Sequence, residues 1–574
     1  MKVAEQIVEQ LQAAGVRRIY GIVGDSLNPI VDAVRRSDIE WVHVRHEEAA
    51  AFAAAAEAQL TGELAVCAGS CGPGNLHLIN GLYDAHRSHA PVLAIASHIP
   101  TAQIGMDFFQ ETHPAKLFDE CSVYSELIST AAQSPRVVAT AMQHAVAQQG
   151  VAVISVPGDI TDDEVGADVP HYTPMVRGSL HPAPASVQQL AEAINQASRV
   201  AIFAGAGVEG AHDEVIALAD RLKAPIGHSL RGKDFIQYDN PFDVGMTGLL
   251  GYGAAAEGMQ DADLLLLLGT DFPYDQFLPQ TRTAQVDRAA EKLGRRTDVD
   301  IAVHGDVLPT LEALTPLVEP KRSDRFLKQM LKKHRRIVEK GTNAYTRRVE
   351  KMTPIHPEYA AAVLDDMASQ DAIFTADTGM CNVWTARYVT PNGRRRLIGS
   401  FLHGSMANAL PHAIGAQFAY PERQVISVSG DGGLSMLLGE LLTVATYQIP
   451  VKLVVFNNSA LGMVKLEMLV DKMPSWGTDV PTANYSAIAE AAGIKGIRVE
   501  KAKDLKKAYQ QAFDHPGPVL VEILTDPNAL SLPPKVTLDQ VYGFATAMSR
   551  TVLSGGAGEV IAMARSNVRN IPRS

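Results

Sequence analysis

The chain of 574 residues contains only four cysteines, three tryptophans and 6% aromatic residues. Four cysteines, none of them in a C-x-x-C pair, do not form a disulfide framework in so long a chain, which favours a reducing cytoplasm and disfavours zinc. Long hydrophobic runs are also missing, since the densest, Leu264 to Leu268, is far below the roughly 20 residues that span a bilayer. Acidic residues outnumber basic ones by 63 to 51, and the net charge of −12 argues against nucleic-acid binding. Any membrane contact is therefore expected to be peripheral.

Short apolar runs bounded by glycine or aspartate alternate with helical patterns along the chain. Runs of this kind are typical of strands buried on both faces of a parallel sheet. A proline-rich stretch at 166–186 and a basic stretch at 319–351 interrupt the alternation. The sequence therefore predicts an α/β protein with three parallel-sheet domains at 1–175, 185–330 and 350–530, followed by a tail at 531–574. The predicted strands lie in RRIYGIVGD, ELAVCAGS, PVLAIAS, GVAVISVPGD, RVAIFAGAG, DADLLLLLGT, AIFTADTG, QVISVSGDGG, VKLVVFNNS and GPVLVEILTD.

The basic stretch at 319–351 holds 12 Lys or Arg against 4 Asp or Glu. A charge run of this kind usually forms a solvated helix face. We expect a connecting helix here, with lipid or nucleic-acid binding as the less favoured alternative.

The strongest chemical motif is Gly430-Asp431-Gly432-Gly433, which follows one predicted strand, and 24 residues separate Gly432 from Asn457-Asn458 after the next. Side chains at the carboxyl ends of parallel strands meet over one site. Carboxylate and amide oxygens suit Mg²⁺, and glycines allow the backbone to approach a diphosphate. Either motif alone could be a simple turn; the pair predicts a metal-bridged diphosphate site.

This pair resembles the signature of thiamine-diphosphate enzymes. Further motifs resemble the pyruvate oxidase branch, and the likeness is greatest to the bacterial quinone-dependent pyruvate dehydrogenases. These motifs are Arg45-His46-Glu47-Glu48, the loop 69–75, Phe109-Gln110-Glu111-Thr112 and His403-Gly404-Ser405-Met406-Ala407-Asn408. The resemblance covers essentially the whole chain. It implies three Rossmann-like domains that bind the pyrimidine ring, FAD and the diphosphate, in that order.

The resemblance also assigns thiamine-diphosphate contacts. Glu47 is the expected partner of the pyrimidine nitrogen, although an acid here also suits a helix N-terminus. Asp431 and Asn458, with the main-chain oxygen of Ala460, are the expected Mg²⁺ ligands. Met406 is the expected apolar wedge, although an isolated Met is more often core. Further expected cofactor contacts are Gly404, Ser405, Gly432, Gly433, Leu461 and Gly462.

Pyruvate is the expected substrate, and its pocket is assigned by correspondence. The expected pocket residues are Phe109, Gln110, Met463, Val464 and Glu467. In the family the pyrimidine site and the diphosphate site of one active centre come from different subunits. A dimer is therefore the smallest expected active unit, and a homotetramer the usual assembly.

The middle domain resembles the FAD-binding domain of pyruvate oxidases. Arg288 and the two alanines after it depart from the pattern of relatives, which leaves the backbone after Asp287 in question. A flavin-free spacer domain is the alternative reading. The expected FAD contacts are Gly205, Gly207, Arg231, Thr247, Gly248, Leu249, Leu250, Thr270, Asp271, Phe272, Pro273, Tyr274 and Asp287.

The tail at 531–574 carries five basic and two acidic residues, whereas the whole chain is acidic. Val560, Ala564, Val568 and Ile571 fall on one helical face with Arg565 and Arg569 off it, a pattern typical of an interfacial helix on anionic lipid. A helix docked on its own protein fits the same pattern. The resemblance to quinone-dependent relatives favours the membrane reading, at the inner face of the cell membrane.

Taken together, the sequence predicts oxidative decarboxylation of pyruvate to acetate and CO₂, with electrons passed through FAD to a membrane quinone. Three alternatives stay open: an oxygen- and phosphate-dependent pyruvate oxidase, an acetolactate synthase, and a catalytically dead scaffold. The intact set of Glu47, Asp431 and Asn458 speaks against the scaffold.

Overall fold

The computed structural model describes residues 1–166, 172–176 and 178–529, together with Met563, Ser566, Asn567 and Arg569. Apart from those four residues, the predicted tail helix at 531–574 lies outside the described residues. The described part forms three α/β domains around three sheets, as the sequence predicted. Each sheet draws its strands from one continuous stretch of chain, so we propose domain boundaries at 1–175, 185–330 and 350–530.

The first sheet has six parallel strands in the order β2-β1-β3-β4-β6-β5. Its strands are β1 (Arg18–Gly21), β2 (Glu40–His43), β3 (Ala65–Gly69), β4 (Val92–His98), β5 (Tyr124–Leu127) and β6 (Val151–Pro157). Its helices are α1 (Val3–Ala13), α2 (Asn28–Arg35), α3 (Glu47–Thr61), α4 (Pro73–Arg87), α5 (Pro114–Leu117) and α6 (Ser134–Gln148).

The middle sheet has seven strands in the order β10-β9-β8-β7-β11-β12-β13. It departs from the all-parallel expectation at one edge, where β10 pairs antiparallel with β9. Its strands are β7 (Val200–Ala204), β8 (Ile226–His228), β9 (Asp243–Met246), β10 (Tyr252–Gly253), β11 (Leu264–Leu268), β12 (Thr283–Asp287) and β13 (Ile301–His304). Its helices are α7 (Pro184–Gln196), α8 (His212–Leu222), α9 (Lys233–Ile236), α10 (Ala255–Asp261) and α11 (Val307–Leu314).

The basic stretch forms the connecting helix α12 (Arg325–Ile337), as expected. The third sheet follows, with six parallel strands in the order β15-β14-β16-β17-β19-β18. Its strands are β14 (Ile373–Ala376), β15 (Arg396–Gly399), β16 (Val425–Gly430), β17 (Lys452–Asn457), β18 (Lys495–Val499) and β19 (Val519–Leu524). Its helices are α13 (Pro357–Met367), α14 (Met380–Tyr388), α15 (Ala409–Ala419), α16 (Asp431–Met436), α17 (Glu440–Tyr447), α18 (Gly462–Val470), α19 (Tyr485–Ala491) and α20 (Leu505–Phe513).

The central strands are buried on both faces, which explains their uninterrupted apolar sequences. In β3, Val66 and Ala68 pack into one core of the first domain, whereas Ala65 and Cys67 pack into the core on the opposite face. The same alternation holds in the third sheet, where Val454 and Val455 of β17 belong to different cores.

Buried polar contacts join the middle domain to its neighbours. Lys233 in α9 donates from Nζ to the main-chain oxygens of Ala386 and Val389, each at 2.6 Å. Asp234 accepts a hydrogen bond from the Leu397 N–H at 2.7 Å. These contacts hold the middle domain against α14 and β15 of the third domain.

Candidate active site

Three carboxyl ends of adjacent strands form one edge of the third sheet, and each is followed by a polar side chain. Asp377 follows β14, Asp431 follows β16, and Asn458 follows β17. The Asp431 carboxylate lies beside the main-chain N–H groups of Asn458 and Ser459. The two halves of the GDGG and NN signature therefore meet.

Asp431 is 2% exposed, and its Oδ2 atom has no hydrogen-bond partner among the described residues. Burial raises the pKa of this carboxyl to about 6, against the opposing effect of the nearby N–H groups. A buried carboxylate oxygen without a partner is costly unless a cation or donor meets it. The amide of Asn458, whose Oδ1 accepts from the Ala460 N–H at 3.1 Å, supplies a second hard ligand. This donor set fits Mg²⁺.

Glycines keep this edge open to close approach. A Cβ at Gly433 would lie 2.1 Å from the Asp377 Oδ2 atom, and one at Gly432 would lie 2.8 Å from Leu461 and 3.5 Å from the tip of Met406. Gly432, Leu461 and the tip of Met406 therefore lie together at this edge.

The sequence reasoning missed Asp377. Its carboxyl accepts hydrogen bonds from the Thr378 N–H at 2.9 Å and from the Asn408 amide at 3.2 Å. Burial raises the pKa of this carboxyl to about 7. An acid directly after the buried run AIFTA is the same signal that identified Asp431, so the pattern could have revealed it.

The expected pocket residues on α18 lie in the first two turns of the helix. Gly462 begins the helix, and a Cβ there would lie 2.9 Å from Met380 and 3.1 Å from the Asn458 amide nitrogen. Met463 packs against the third-domain core, whereas Val464 and Glu467 are exposed and lie one turn apart. The helix thus begins beside Asn458, at the sheet edge that also carries Asp431.

Glu47 begins α3 in the first domain and is 7% exposed. His77 in α4 approaches it, with Nδ1 2.9 Å from the Glu47 Oε2 atom. The His77 ring stacks on His46, which caps α3 by accepting from the Glu48 N–H. Atoms of His46, Glu47 and His77 lie within 4.8 Å of one another, a spacing that could also suit a metal ion. The sequence reasoning missed His77, because nothing in its local pattern distinguishes it.

Asn80 in α4 joins the first domain to the loop that follows β15. Its Nδ2 donates to Glu48 at 2.6 Å and to the Ser405 hydroxyl at 2.8 Å, and its Oδ1 lies 2.8 Å from His403 Nε2. Gly404 lies between His403 and Ser405 and has a φ of 77°. In the described part of the chain, Glu47 itself makes no hydrogen bond to the third domain.

Gln110 and Phe109 lie in a loop of the first domain that packs on the loop after β3. The Cys71 thiol lies 3.3 Å from the Gln110 Oε1 atom, and a Cβ at Gly72 would lie 2.8 Å from the Gln110 Cβ. Phe109 is 76% exposed. Gln110 is therefore fixed by its neighbours, whereas Phe109 projects from the surface of the single chain.

In the middle domain, the expected FAD residues lie at or just beyond the carboxyl ends of β7, β8, β9, β11 and β12. A Cβ at Gly205 would lie 2.5 Å from Thr270, and one at Gly207 would lie 2.6 Å from Gly269. The buried Thr247 hydroxyl has no partner among the described residues, and burial raises the pKa of Asp287, which ends β12. The two glycines are therefore required by the close packing of these strand ends, whereas the orphaned Thr247 hydroxyl is a feature that a bound ligand would explain.

The other expected FAD residues have identifiable structural contacts. Gly248, with a φ of 101°, lies against the ring of Phe272, which packs edge to face with Tyr274; Pro273 between them is half-buried. Asp271 pairs with Arg295 and Arg296. Leu249 is exposed, and the Leu250 main-chain oxygen accepts from Arg387 of the third domain at 3.2 Å.

Arg231 faces the first domain, where it donates to the Ser88 oxygen at 2.9 Å, and burial lowers its pKa. Arg288 lies 3.5 Å from Asp306, and the turn after Asp287 closes through the Ala289 N–H at 2.9 Å. The departure at Arg288 therefore leaves the Asp287 turn hydrogen-bonded.

Three family models match the chain. The N-terminal TPP binding domain of thiamine pyrophosphate enzymes matches residues 1–118, the central domain matches 187–314, and the C-terminal TPP binding domain matches 377–523. No helix of the described residues is long and apolar enough to cross a membrane.

Three relatives align along nearly the whole chain. A putative thiamine pyrophosphate-containing protein, YdaP, of Bacillus subtilis is 35% identical over 98% of both chains. A pyruvate oxidase of Lactiplantibacillus plantarum is 32% identical over 90% of this chain and 87% of its own. A probable acetolactate synthase large subunit of Methanocaldococcus jannaschii is 31% identical over 93% of this chain and 94% of its own. With the signature residues of GDGG and NN meeting at one sheet edge, these matches identify the chain as a member of the thiamine pyrophosphate enzyme family.

Proposed function

We propose that this protein oxidatively decarboxylates pyruvate to acetate and CO₂ and passes the electrons through FAD to a membrane quinone. The observation that carries the proposal is the buried Asp431 carboxylate. Its Oδ2 atom has no hydrogen-bond partner among the described residues and lies at the sheet edge that also carries Asn458. This arrangement supports a divalent cation and a diphosphate at the third domain, as the family requires.

In the proposed site, Asp431, Asn458 and the main-chain oxygen of Ala460 hold Mg²⁺. Gly432 and Gly433 cannot carry side chains, since a Cβ there would meet Leu461 and Asp377, and their backbone would contact the diphosphate. The further thiamine-diphosphate contacts are Gly404, Ser405, Met406, Leu461 and Gly462.

Thiamine diphosphate bound here would supply a nucleophilic carbon for the keto carbon of pyruvate and an electron sink for the loss of CO₂. The Glu47 carboxyl would hydrogen-bond the pyrimidine nitrogen, and the contact with His77 fixes the direction of that carboxyl. Phe109 and Val464, both exposed in the single chain, would shield the reacting centre from water if a second subunit covers them. The proposed pyruvate pocket comprises Phe109, Gln110, Met463, Val464 and Glu467.

FAD supplies a two-electron acceptor when it is bound in the middle domain. Gly205 and Gly207 would contact FAD through their backbone, and Thr247 and Asp287 would offer it polar groups. The remaining proposed contacts are Arg231, Gly248, Leu249, Leu250, Thr270, Asp271, Phe272, Pro273 and Tyr274.

The choice of a quinone over oxygen rests on the basic tail at 531–574 and on the resemblance to quinone-dependent relatives. An amphipathic basic helix would hold the enzyme on anionic lipid, where quinones reside. We therefore propose a cytoplasmic enzyme at the inner face of the cell membrane. A homotetramer, with a dimer as the smallest active unit, completes the proposal.

Acetolactate synthase is the second candidate function. It is supported by the relative from Methanocaldococcus jannaschii, which is nearly as similar to the chain as the pyruvate oxidase is. In that case the flavin would not change its redox state during turnover.

Anaerobic titration of the purified, cofactor-loaded protein with pyruvate separates these functions. Stoichiometric bleaching of the flavin absorbance is expected for the proposed reaction. Acetolactate formation without bleaching would establish the second candidate instead. Reoxidation of the bleached enzyme by a quinone, and only slowly by oxygen with phosphate, would separate the quinone reaction from the oxygen-dependent one.

A further inference from the structure

The buried carboxyl of Asp377 adjoins two segments of the candidate site, the start of α16 and the loop ahead of α15. A Cβ at Gly433 would lie 2.1 Å from the Asp377 Oδ2 atom. The same carboxyl accepts a hydrogen bond from the Asn408 amide at 3.2 Å and lies beside the main-chain N–H groups of Ala407 and Asn408. We call residues 403–408 the wedge loop, since they include the expected apolar wedge. One buried acid thus links the wedge loop to the glycine turn.

The wedge loop has a backbone conformation that depends on outside contacts. Ala407 has a φ of 69°, in the left-handed region that residues other than glycine rarely adopt. Such a conformation persists only where the surrounding structure imposes it. Asn408 extends the Asp377 contact into the loop, because its Nδ2 donates to the Ser405 oxygen at 2.8 Å and its Oδ1 accepts from the Ser400 N–H at 3.2 Å. The Asp377 carboxyl and the Asn408 amide together hold this turn.

Met406 lies inside this network, directly before the left-handed residue. The Ser405 hydroxyl donates to the Met406 main-chain oxygen at 2.9 Å. The tip of the Met406 side chain reaches the glycine turn, where a Cβ at Gly432 would lie 3.5 Å from it. The direction of Met406 therefore depends on the turn that Asp377 supports from the buried side.

We propose that Asp377 is a positioning residue, which holds Met406 against the glycine turn and thereby strengthens binding of the thiamine rings. The inference rests on the proposed contact between Met406 and thiamine diphosphate. A carboxylate suits this role because it only accepts hydrogen bonds, and main-chain N–H groups meet it here. An asparagine of the same shape would turn an NH₂ group toward such donors.

Calorimetric titration of the full chain, freed of thiamine diphosphate, tests the proposal. The two ligands are thiamine diphosphate and inorganic pyrophosphate, each at saturating MgCl₂. Pyrophosphate fills the diphosphate site and has no rings for Met406 to contact. We expect Asp377→Asn to lose at least about tenfold in affinity for thiamine diphosphate and less than about twofold for pyrophosphate.

A control variant separates this effect from a general loss of stability. Asp365 in α13 accepts from the Thr390 N–H at 2.8 Å and from Arg395 at 2.7 Å, so it also fixes a loop of the third domain. Asp365→Asn should bind both ligands within about twofold of the wild type, because it supports a different loop. Asn408→Ser removes the other half of the Asp377–Asn408 contact and should repeat the Asp377→Asn pattern. It replaces Asp377→Asn as the test variant if that protein does not fold.

A double variant shows whether Asp377 acts through Met406. Asp377→Asn should add little to the loss caused by Met406→Ala, since the side chain that it positions is already gone. Additive losses would overturn the proposal, as would wild-type affinity for thiamine diphosphate in the test variant.

An equal loss for both ligands would assign Asp377 to the diphosphate site and overturn the proposal. Wild-type affinity in Met406→Ala would refute the Met406 contact and the inference with it. Formation of acetolactate in the pyruvate titration would refute the proposed reaction without changing these affinities, so the two proposals fail separately.

Discussion

His77 Nδ1 lies 2.9 Å from Glu47 Oε2, and this contact joins α4 to the first residue of α3. The ring of His77 is stacked on His46 at 4.4 Å between centroids, and His46 caps the same helix that Glu47 begins. The Glu47 carboxyl is therefore held in one direction by a side chain that is itself fixed by packing. Such fixation is what a proton-holding group needs.

Replacing Glu47 by Gln should abolish nearly all turnover while the protein stays folded. The amide keeps the size of the side chain but cannot hold the proton that the proposed role requires. Steady-state pyruvate oxidation and the circular dichroism spectrum of the variant would measure the two parts of this prediction.

Glu48→Gln is the matched control. Glu48 is the next residue of the same helix turn, and it accepts a hydrogen bond from the Asn80 amide at 2.6 Å, which an amide oxygen can still accept. This variant should retain most of its turnover. Normal turnover of Glu47→Gln, or an equal loss in both variants, would remove the role assigned to Glu47.

Magnesium affinity should rise as the pH increases through about 6. Burial raises the pKa of Asp431 to about 6, and only the ionised carboxylate binds the cation, so the proton and Mg²⁺ compete. Titration of the apoprotein with MgCl₂ and thiamine diphosphate between pH 5 and 7.5, followed by thermal stability, would measure this dependence.

Asp431→Asn should weaken cation binding at least about tenfold at neutral pH, because the charged ligand is lost, and should flatten the pH dependence. Asp377→Asn serves as the comparison, since burial also raises the pKa of Asp377, to about 7, yet this residue is not a proposed ligand. If Asp377→Asn and not Asp431→Asn flattened the profile, the ligand assignment would be wrong.

The sequence predicted the architecture well because the central strands carry apolar side chains on both faces. Each of the ten predicted runs contains a strand. The strands that it missed include the edges of the sheets, such as Glu40–His43 and Lys495–Val499, which expose one side and lack an apolar run. Short interior strands such as Ile226–His228 were missed because three residues show no period.

The candidate site was predictable where chemistry lies in local motifs and not where it lies in tertiary contacts. Asp431 and Asn458 follow adjacent strands, so parallel pairing alone brings them together. His77 and Asn80 gain their importance from helix packing that no local pattern encodes. Arg231, expected near FAD, hydrogen-bonds the Ser88 oxygen of the first domain, a contact that likewise depends on how the domains pack.

The interface between the middle and third domains should become more stable as the pH rises between about 8 and 10.5. Burial lowers the pKa of Lys233 from 10.5 to about 8, so in this window the unfolded chain holds a proton that the folded chain lacks. The free energy of unfolding therefore increases with pH, by up to roughly 3 kcal/mol in total.

Lys233→Met removes this contribution and leaves the Ala386 and Val389 oxygens without their donor. We expect lower stability at every pH and a shallower rise than in the wild type. Lys503→Met, at an exposed position, is the control and should follow the wild-type curve. If urea unfolding gave parallel plots of unfolding free energy against pH for the wild type and Lys233→Met, the protonation assigned to Lys233 would be wrong.

Mixing two inactive variants should restore activity if each active centre draws on two subunits. Within one chain Glu47 hydrogen-bonds His77, while contacts from the first domain to the His403 to Ser405 loop run through Asn80. In a dimer of Glu47→Gln with Asp431→Asn, one of the two centres then has both native residues. After dissociation and random reassembly, about one quarter of the wild-type turnover should return. If Glu47 and Asp431 of the same chain formed one centre, every centre would carry a substitution and the mixture would stay inactive.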